Sequence, residues 1–171
     1  LQANFYAPCY MFNMLYRNGC RKFVYASSTA VYGNEPAPFD EDKTPLNPLT
    51  IYGKSKAMFD KFAMEFAAQR SKISVIGLRY CNVYGEGEEH KGKRASMIYQ
   101  LLHKFYYPGL NKDKEIRLFE FGEQSRDWIY IDDVVQANLL ALKRQSRAPM
   151  TSNGIYNCGT GVSTSFNQLV E

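Results

Sequence analysis

Hydrophobic and polar residues follow two patterns along this chain, and the more extensive one is helical. Apolar side chains that recur every three or four residues predict helices with one buried face. We expect such helices at residues 2–18, 48–66, 98–108 and 133–142. Gly19 is placed to end the first helix, Pro48 falls in the first turn of the second, and Asp132 can cap the fourth.

Short runs of β-branched and aromatic residues form the second pattern and predict strands. They occupy residues 21–26, 73–78, 116–119, 128–131 and 154–157. Strands that alternate with amphipathic helices predict a parallel sheet covered by helices on both faces, which is an α/β fold. In such sheets ligands bind at the carboxyl ends of the strands, so polar residues at those ends are the candidates for function.

The composition is that of a soluble globular domain. The 171 residues are 45% hydrophobic and 22% charged, with a net charge of +4. No apolar run approaches the ~20 residues that span a bilayer, and the basic residues are dispersed, so we expect neither a membrane nor a nucleic acid as partner. Four isolated cysteines without Cys-x-x-Cys spacing predict free thiols in a reducing, cytoplasmic compartment and no metal site.

Tyr52 and Lys56 stand four residues apart in the second predicted helix, so both side chains project from one face. A tyrosine with a pKa of ~10 is a weak base at neutral pH, and a neighbouring ammonium favours its phenolate. The pair is therefore a candidate acid/base unit, although the same spacing also occurs as a surface tyrosine beside a solvated lysine. Ser28 follows the first predicted strand, where a hydroxyl can bond a reacting oxygen or close a turn.

Three motifs, in order, connect these residues with a known superfamily. They are Tyr25-Ala-Ser-Ser-x-x-Val-Tyr-Gly33, Tyr52-Gly-Lys-Ser-Lys56 and Leu78-Arg-Tyr-x-Asn-Val-Tyr-Gly85. Together they resemble the extended short-chain dehydrogenases/reductases, which act on nucleotide-linked sugars with bound NAD or NADP. The resemblance implies that residues 1–84 form the second half of a Rossmann-like, doubly wound parallel sheet. Residues 85–125 and the C-terminal end would face the substrate, as part of a small subdomain.

Within that superfamily, the segments Glu89-His-Lys-Gly92 and Leu118-Phe-Glu-Phe-Gly-Glu123 resemble the family of ADP-L-glycero-D-manno-heptose 6-epimerases. The resemblance implies that Tyr52 and Lys91 are bases on opposite sides of the sugar carbon, that Ser28 steadies the oxygen, and that Lys56 holds the nicotinamide ribose. The implied cofactor contacts are Asn4, Ser27, Tyr52, Lys56 and Val83. The implied sugar-nucleotide contacts are Ser28, Asn82, Lys93, Gln100, Phe119, Glu120, Phe121, Gly122 and Arg126.

The implied activity is NADP-dependent epimerisation of ADP-heptose through a ketone, in lipopolysaccharide core synthesis. NAD is the alternative cofactor, and the full-length protein is expected to be a homo-oligomer. Lys93 and Gln100 stand where this family often has a small hydroxyl residue and a histidine, which puts the exact sugar in question. Lys91 could also neutralise a diphosphate, as could Lys93 and Arg94. Arg126 could equally form a surface ion pair with its neighbour.

Two other functions stay open. Another epimerase or dehydratase of the superfamily would share most motifs. Galactose-type 4-epimerases, however, lack the His-Lys-Gly element, and dehydratases usually carry Asp and Glu where Ala30 and Val31 stand. A non-catalytic binding relative would be expected to lose the tyrosine or lysine. These 171 residues contain no glycine-rich turn for a dinucleotide pyrophosphate. We therefore expect an excerpt that lacks the cofactor cradle, binds NADP poorly and has no turnover alone.

Overall fold

The computed structural model describes residues 1–106, 119–147 and 153–171. These residues form two compact units, of which the first comprises Leu1–Tyr80 and Gln136–Cys158, and the second Cys81–Val135 and Gly159–Glu171. Each unit combines helices with strands. Within the described ranges, no helix is both long and apolar enough to cross a membrane, and no three metal-ligating side chains cluster there.

Helices and strands alternate along much of the chain. In chain order they are α1 (Ala7–Arg17), β1 (Lys22–Ser28), α2 (Ile51–Ala68), β2 (Ser74–Tyr80), β3 (Asn82–Tyr84), α3 (Met97–Tyr106), β4 (Ser125–Tyr130), α4 (Ile131–Arg147), β5 (Gly154–Cys158), β6 (Ser163–Ser165) and α5 (Phe166–Val170). A π-helical turn at Gln2–Tyr6 precedes α1, and 3-10 turns lie at Thr29–Val31, Glu89–Arg94 and Phe119–Gly122.

A parallel sheet in the order β1-β2-β5 forms the centre of the first unit. Lys22 to Ser28 stand opposite Ser74 to Tyr80, and the second half of β2 pairs with β5. Six of the seven β2 residues are buried, as expected of a strand with neighbours on both sides. β1 is an outer strand among the described elements. The predicted Rossmann-like α/β fold with a parallel sheet is confirmed.

The core of the first unit is aromatic and lies between β1 and the helices α1 and α2. Phe12 is at its centre, with ring centroids 4.5 Å from Phe23, 5.2 Å from Phe59 and 5.7 Å from Phe66. All four rings are buried, and burial of each such side chain contributes roughly 1.5–3 kcal/mol relative to exposure. This packing fixes α2, the helix with the candidate acid/base pair, against the sheet.

The second unit contains a small mixed sheet. β3 is parallel to β4, and β4 is antiparallel to β6. The Asp127 carboxylate on β4 accepts the backbone N–H groups of Thr160 and Gly161 at 2.9 and 2.8 Å. A Cβ at Gly159 would stand 2.5 Å from the same carboxylate. The Gly159-Thr-Gly161 sequence therefore forms a turn on Asp127.

Several element boundaries differ from the predictions. Pro48 lies outside α2, because the Thr50 hydroxyl accepts the Gly53 N–H and caps the helix two residues later than predicted. Asp132 is not the cap of α4, since it lies within the first turn, where its charge complements the helix dipole. β4 begins at Ser125, because its first residues pair with β6, and ends at Tyr130.

The predicted strand at residues 116–119 is only partly testable. Residues 116–118 lie outside the described residues, and Phe119 belongs to a 3-10 turn rather than to a strand. Phe121 and Gly122 have φ values of +59° and +77°. These left-handed conformations are incompatible with an extended strand. The prediction is wrong for Phe119, because this residue begins the 3-10 turn that leads into those two positions.

Candidate active site

Tyr52 and Lys56 lie on one face of α2. Tyr52 is 46% exposed, and the Lys56 ammonium is 5.7 Å from the centroid of its ring. The same ammonium donates a 3.0 Å hydrogen bond to the Ala26 carbonyl of β1, which ties this face of the helix to the sheet. Burial lowers the pKa of Lys56, and the negative charge of Asp60, one turn further along α2, opposes that shift.

Ser28 lies at the carboxyl end of β1, where its hydroxyl oxygen accepts the Ala30 N–H at 3.2 Å. This bond caps the 3-10 turn at Thr29–Val31, so Ser28 does close a turn. The bond uses a lone pair of the hydroxyl and leaves its proton available for a ligand oxygen. A turn and a substrate contact are therefore compatible at Ser28.

The turn after Ser28 packs directly on α2 at Gly53, the residue next to Tyr52. A Cβ at position 53 would stand 2.5 Å from the Ala30 carbonyl oxygen and 3.0 Å from the Pro48 side chain. Only glycine permits so close an approach. The segments that hold Ser28 and Tyr52 are thus in backbone contact.

Residues implied as cofactor contacts lie on elements that border this face of α2. Asn4 is half-buried in the π-helical turn, which packs against α2. Ser27 is 2% exposed, and its buried hydroxyl oxygen has no hydrogen-bond partner within the described residues. An ammonium such as that of Lys56 can donate three bonds, and the Ala26 carbonyl takes one. This donor set fits the ribose hydroxyls of a dinucleotide cofactor.

A buried polar network lies further along α2 and was missed in the sequence. The Asp60 carboxylate accepts Arg79 Nε at 3.0 Å and the Tyr25 hydroxyl at 3.0 Å. Arg79 also donates to the Tyr32 hydroxyl at 2.8 Å, and Tyr32 donates to Asn157 at 2.8 Å. Burial and the Asp60 charge raise the pKa of Tyr25 well above its usual value. Tyr25 therefore remains a neutral donor.

One sequence signal could have indicated this network. Asp60 interrupts the apolar face of α2 between Phe59 and Phe62, and a charge in that position requires a buried partner. The second predicted strand, residues 73–78, ends one residue before Arg79. The structure extends β2 to Tyr80, so that Arg79 lies inside the strand and is only 3% exposed.

Lys91 lies in the 3-10 turn at Glu89–Arg94 of the second unit. Its ammonium is 3.3 Å from the Glu88 carboxylate, and its side chain is 45% exposed. Gly92, with φ +53°, turns the chain directly after Lys91. The ammonium therefore combines a fixed partner with access to solvent. On the neighbouring β3, Asn82 is exposed and Val83 is half-buried opposite Ile129.

The two residues that depart from the family pattern are joined to each other. The Gln100 amide nitrogen donates to the Ala95 carbonyl at 2.8 Å and to the Lys93 carbonyl at 3.4 Å. The Lys93 side chain is exposed. Gln100 therefore braces the backbone that follows Lys91, which leaves fewer of its donors for a sugar.

The remaining predicted contacts lie before and at the start of β4. Phe121 is 89% exposed with φ +59°, an unusual conformation for a bulky residue. Arg126 donates to the Ser125 carbonyl at 2.8 Å and to the Gln124 side chain at 3.2 Å. Asp127 is engaged by the turn at residues 159–161, and no ion pair with Arg126 forms among the described residues.

Each unit therefore holds its own subset of the predicted residues. The first unit contains Asn4, Ser27, Ser28, Tyr52 and Lys56, and the second contains Asn82, Val83, Lys91, Lys93, Gln100, Phe119, Glu120, Phe121, Gly122 and Arg126. In the first unit, a hydroxyl residue ends a parallel strand, and a Tyr-x-x-x-Lys pair lies on the helix packed against that strand. This combination agrees with the short-chain dehydrogenase/reductase class that the motifs resemble.

The chain belongs to the NAD dependent epimerase/dehydratase family, whose sequence profile matches residues 1–159. It is 37% identical over 152 residues to the ADP-L-glycero-D-manno-heptose-6-epimerase of Brachyspira hyodysenteriae, a match that covers 88% of this chain and 45% of that protein. These findings confirm the resemblance inferred from the motifs.

Solved structures agree with this assignment. The crystal structure of Helicobacter pylori ADP-L-glycero-D-manno-heptose-6-epimerase superposes with a TM-score of 0.80 at 38% identity, over 98% of this chain and 49% of that one. MoeE5 in complex with UDP-glucose and NAD superposes with a TM-score of 0.82 at 30% identity, over 98% of this chain and 52% of that one. The chain thus spans about half the length of these relatives.

Proposed function

We propose that the whole protein carrying this chain is a nucleotide-sugar epimerase that inverts C6 of the heptose in ADP-glycero-manno-heptose, for lipopolysaccharide core synthesis. The identity of 37–38% to two heptose epimerases supports this substrate. The observation that carries the proposal is Lys91 of the His-Lys-Gly element, whose side chain is half-exposed and whose ammonium is held by Glu88. Galactose-type 4-epimerases lack that element, so it favours the heptose over a galactose-type substrate.

Epimerisation through a ketone requires a proton to leave and return to the sugar oxygen in two orientations. We assign the proton transfer in one orientation to Tyr52 and in the other to Lys91, because one base cannot reach the oxygen in both orientations without moving. Ser28 donates its hydroxyl proton to the reacting oxygen, and Lys56 orients Tyr52 from the same helix face. A bound nicotinamide would supply the hydride acceptor and donor.

The proposed cofactor is NADP, with NAD as the alternative. Asn4, Ser27, Tyr52, Lys56 and Val83 would hold it, and the unpartnered Ser27 hydroxyl and the Lys56 ammonium support this assignment. Residues 1–171 alone contain no glycine-rich turn for a pyrophosphate, so we propose that they bind NADP weakly and do not turn over. Measurable NADP-dependent epimerisation by residues 1–171 would refute this proposal.

The decisive experiment replaces Lys91 with methionine in the whole protein. Loss of a positioned acid/base group should lower the rate of ADP-heptose epimerisation by about 10²–10⁴-fold, measured by chromatographic separation of the two epimers. Lys54→Met is the matched control, because Lys54 is an exposed lysine on α2 with no assigned role. Near-normal activity of Lys91→Met would remove Lys91 as a base.

The second candidate is a UDP-sugar 4-epimerase, and one observation favours it. Gln100 replaces the histidine expected in heptose epimerases, and its amide is engaged by the backbone at Lys93 and Ala95. The whole protein should be assayed with ADP-heptose and with UDP-glucose under the same conditions. We expect conversion of ADP-heptose only. Conversion of UDP-glucose with no action on ADP-heptose would establish the second candidate instead.

A further inference from the structure

Among the carboxylates that the structure describes in the second unit, Glu88 accepts the most hydrogen bonds, although no motif marks it. It is 3% exposed. One oxygen accepts the Ser96 hydroxyl at 2.7 Å and the Gly85 N–H at 3.3 Å. The other accepts the Ser96 N–H at 2.7 Å and the Lys91 ammonium at 3.3 Å. Four donors thus converge on one buried side chain.

Glu88 is a carboxylate anion at neutral pH. Burial raises its pKa, but the hydrogen bonds from Ser96, Gly85 and Lys91 outweigh burial and hold the pKa below its usual value. A buried charge is tolerated only where it is paired and hydrogen-bonded. Its one charged partner in the described hydrogen-bond and ion-pair network is Lys91.

Glu88 holds Lys91 through its backbone as well as its side chain. The Lys91 N–H donates to the Glu88 carbonyl at 2.9 Å, which forms the first turn of the 3-10 segment. Gly92 then reverses the chain, and the Ala95 N–H returns to the Gly92 carbonyl at 3.0 Å. Both the path of the backbone at Lys91 and the position of its ammonium therefore depend on Glu88.

We propose that Glu88 is the positioning residue for Lys91, and that its carboxylate fixes the ammonium at the place where the sugar oxygen exchanges its proton. This inference rests on the proposed function, in which Lys91 is one of two acid/base groups. Glu88 acts through Lys91 and does not contact the substrate. The opposing explanation is that Glu88 only joins Gly85 to Ser96 and so staples the loop, with Lys91 as a bystander.

Two variants of the whole protein separate these explanations. Glu88→Gln keeps the shape of the side chain but removes the charge that holds Lys91 and turns one acceptor oxygen into an N–H donor. Ser96→Ala removes the 2.7 Å hydroxyl bond to Glu88 but leaves the ion pair with Lys91 in place. If Glu88 were only a staple, both variants should impair the protein in the same way. If it positions Lys91, only Glu88→Gln should affect the chemistry of the lysine.

The first readout is the rate at which the protein oxidises each of the two epimers. Each epimer is mixed separately with the protein and NADP, and the oxidation phase is followed by absorbance. Glu88→Gln should slow oxidation of one epimer by about 10- to 100-fold, because a misplaced catalytic group has effects of that size. Oxidation of the other epimer, assigned to Tyr52, should change by less than about twofold.

The second readout needs no catalysis. Limited acetylation of the protein, quantified by peptide mass spectrometry, gives the labelling of Lys91 relative to Lys93 in the same turn. Glu88→Gln should raise this ratio about two- to fivefold, because the amine loses its partner, and Ser96→Ala should leave it unchanged. General unfolding would expose both lysines and move the ratio toward one. If Glu88→Gln does not fold, Glu88→Asp, which shortens the reach to Lys91 by one methylene, is compared in its place.

The outcomes distinguish this inference from the proposed function. An unchanged labelling ratio in Glu88→Gln, or equal slowing of both epimers by Glu88→Gln and Ser96→Ala, would overturn the positioning role. Slower oxidation of one epimer than of the other by Glu88→Gln, together with a raised labelling ratio of Lys91 to Lys93, would establish it. If the wild-type protein does not epimerise ADP-heptose, the proposed function fails, and the labelling ratio still decides whether Glu88 holds Lys91.

Discussion

Replacing Arg79 with methionine should destabilise the first unit severely, because it leaves the Asp60 carboxylate buried without its cation. Asp60 and Arg79 are 1% and 3% exposed, and their atoms are 3.0 Å apart. Breaking a buried pair by removing one partner costs about 3–5 kcal/mol of unfolding free energy. The Tyr25 hydroxyl bond to Asp60 survives in this variant, but it cannot neutralise the charge.

The double variant Asp60→Asn/Arg79→Met should be more stable than Arg79→Met alone. It removes both charges and keeps an acceptor for the Tyr25 hydroxyl. It also loses the hydrogen bond from Arg79 to the Tyr32 hydroxyl, which costs about 1 kcal/mol of unfolding free energy. We therefore expect the double variant to cost about 1–2 kcal/mol, less than either single change. The four proteins of this cycle are compared by urea unfolding, with far-UV circular dichroism as the signal. Additive effects of the two substitutions would refute the argument, because they would mean that the charges do not interact.

Two further predictions concern the backbone approach at Gly53 and the ionisation of Glu88. Gly53→Ala should cost about 1–3 kcal/mol of unfolding free energy, because its Cβ would stand 2.5 Å from the Ala30 oxygen. Thermal unfolding should show this loss as a lower Tm. Lys54→Ala, at an exposed position on the same helix, should leave the Tm unchanged. The lowered pKa of Glu88 contributes stability that is complete above its unfolded value of 4.5 and is lost as pH falls through its folded pKa. The difference in Tm between wild type and Glu88→Gln should therefore shrink as the pH falls below 4.5 and through the folded pKa of Glu88.

Periodicity predicted the existence and type of most elements but not their ends. The aromatic stripe on α2 and the apolar run of β2 were readable because burial dictates both patterns. The start of α2 was missed because a hydrogen bond from the Gly53 N–H to the Thr50 hydroxyl decides it. The turn at Phe119–Gly122 depends on two positive φ angles, and no apolar pattern encodes those.

The candidate site was predictable where motifs specify residue types, and not where folding creates partners. Ser28, Tyr52 and Lys56 followed from their order and spacing. Glu88 was not identified, because its four donors come from residues 85, 91 and 96 and meet only in the folded turn. The resemblance implies a sugar contact for Gln100, whereas its amide is bonded to the backbone at Lys93 and Ala95. Whether it also meets a sugar stays a prediction.

The outer position of β1 in its sheet has a consequence for handling this polypeptide by itself. Among the described residues, β2 is the strand paired with β1, so the opposite edge of Val24–Ser28 has no strand partner there, although the Ala26 carbonyl accepts the Lys56 ammonium. An apolar strand with an open edge is a template for a strand from another molecule. Ser28 ends this same strand, and self-association along it would crowd the proposed catalytic hydroxyl. Purified residues 1–171 should therefore be examined for oligomers before an absence of turnover is ascribed to a missing cofactor site.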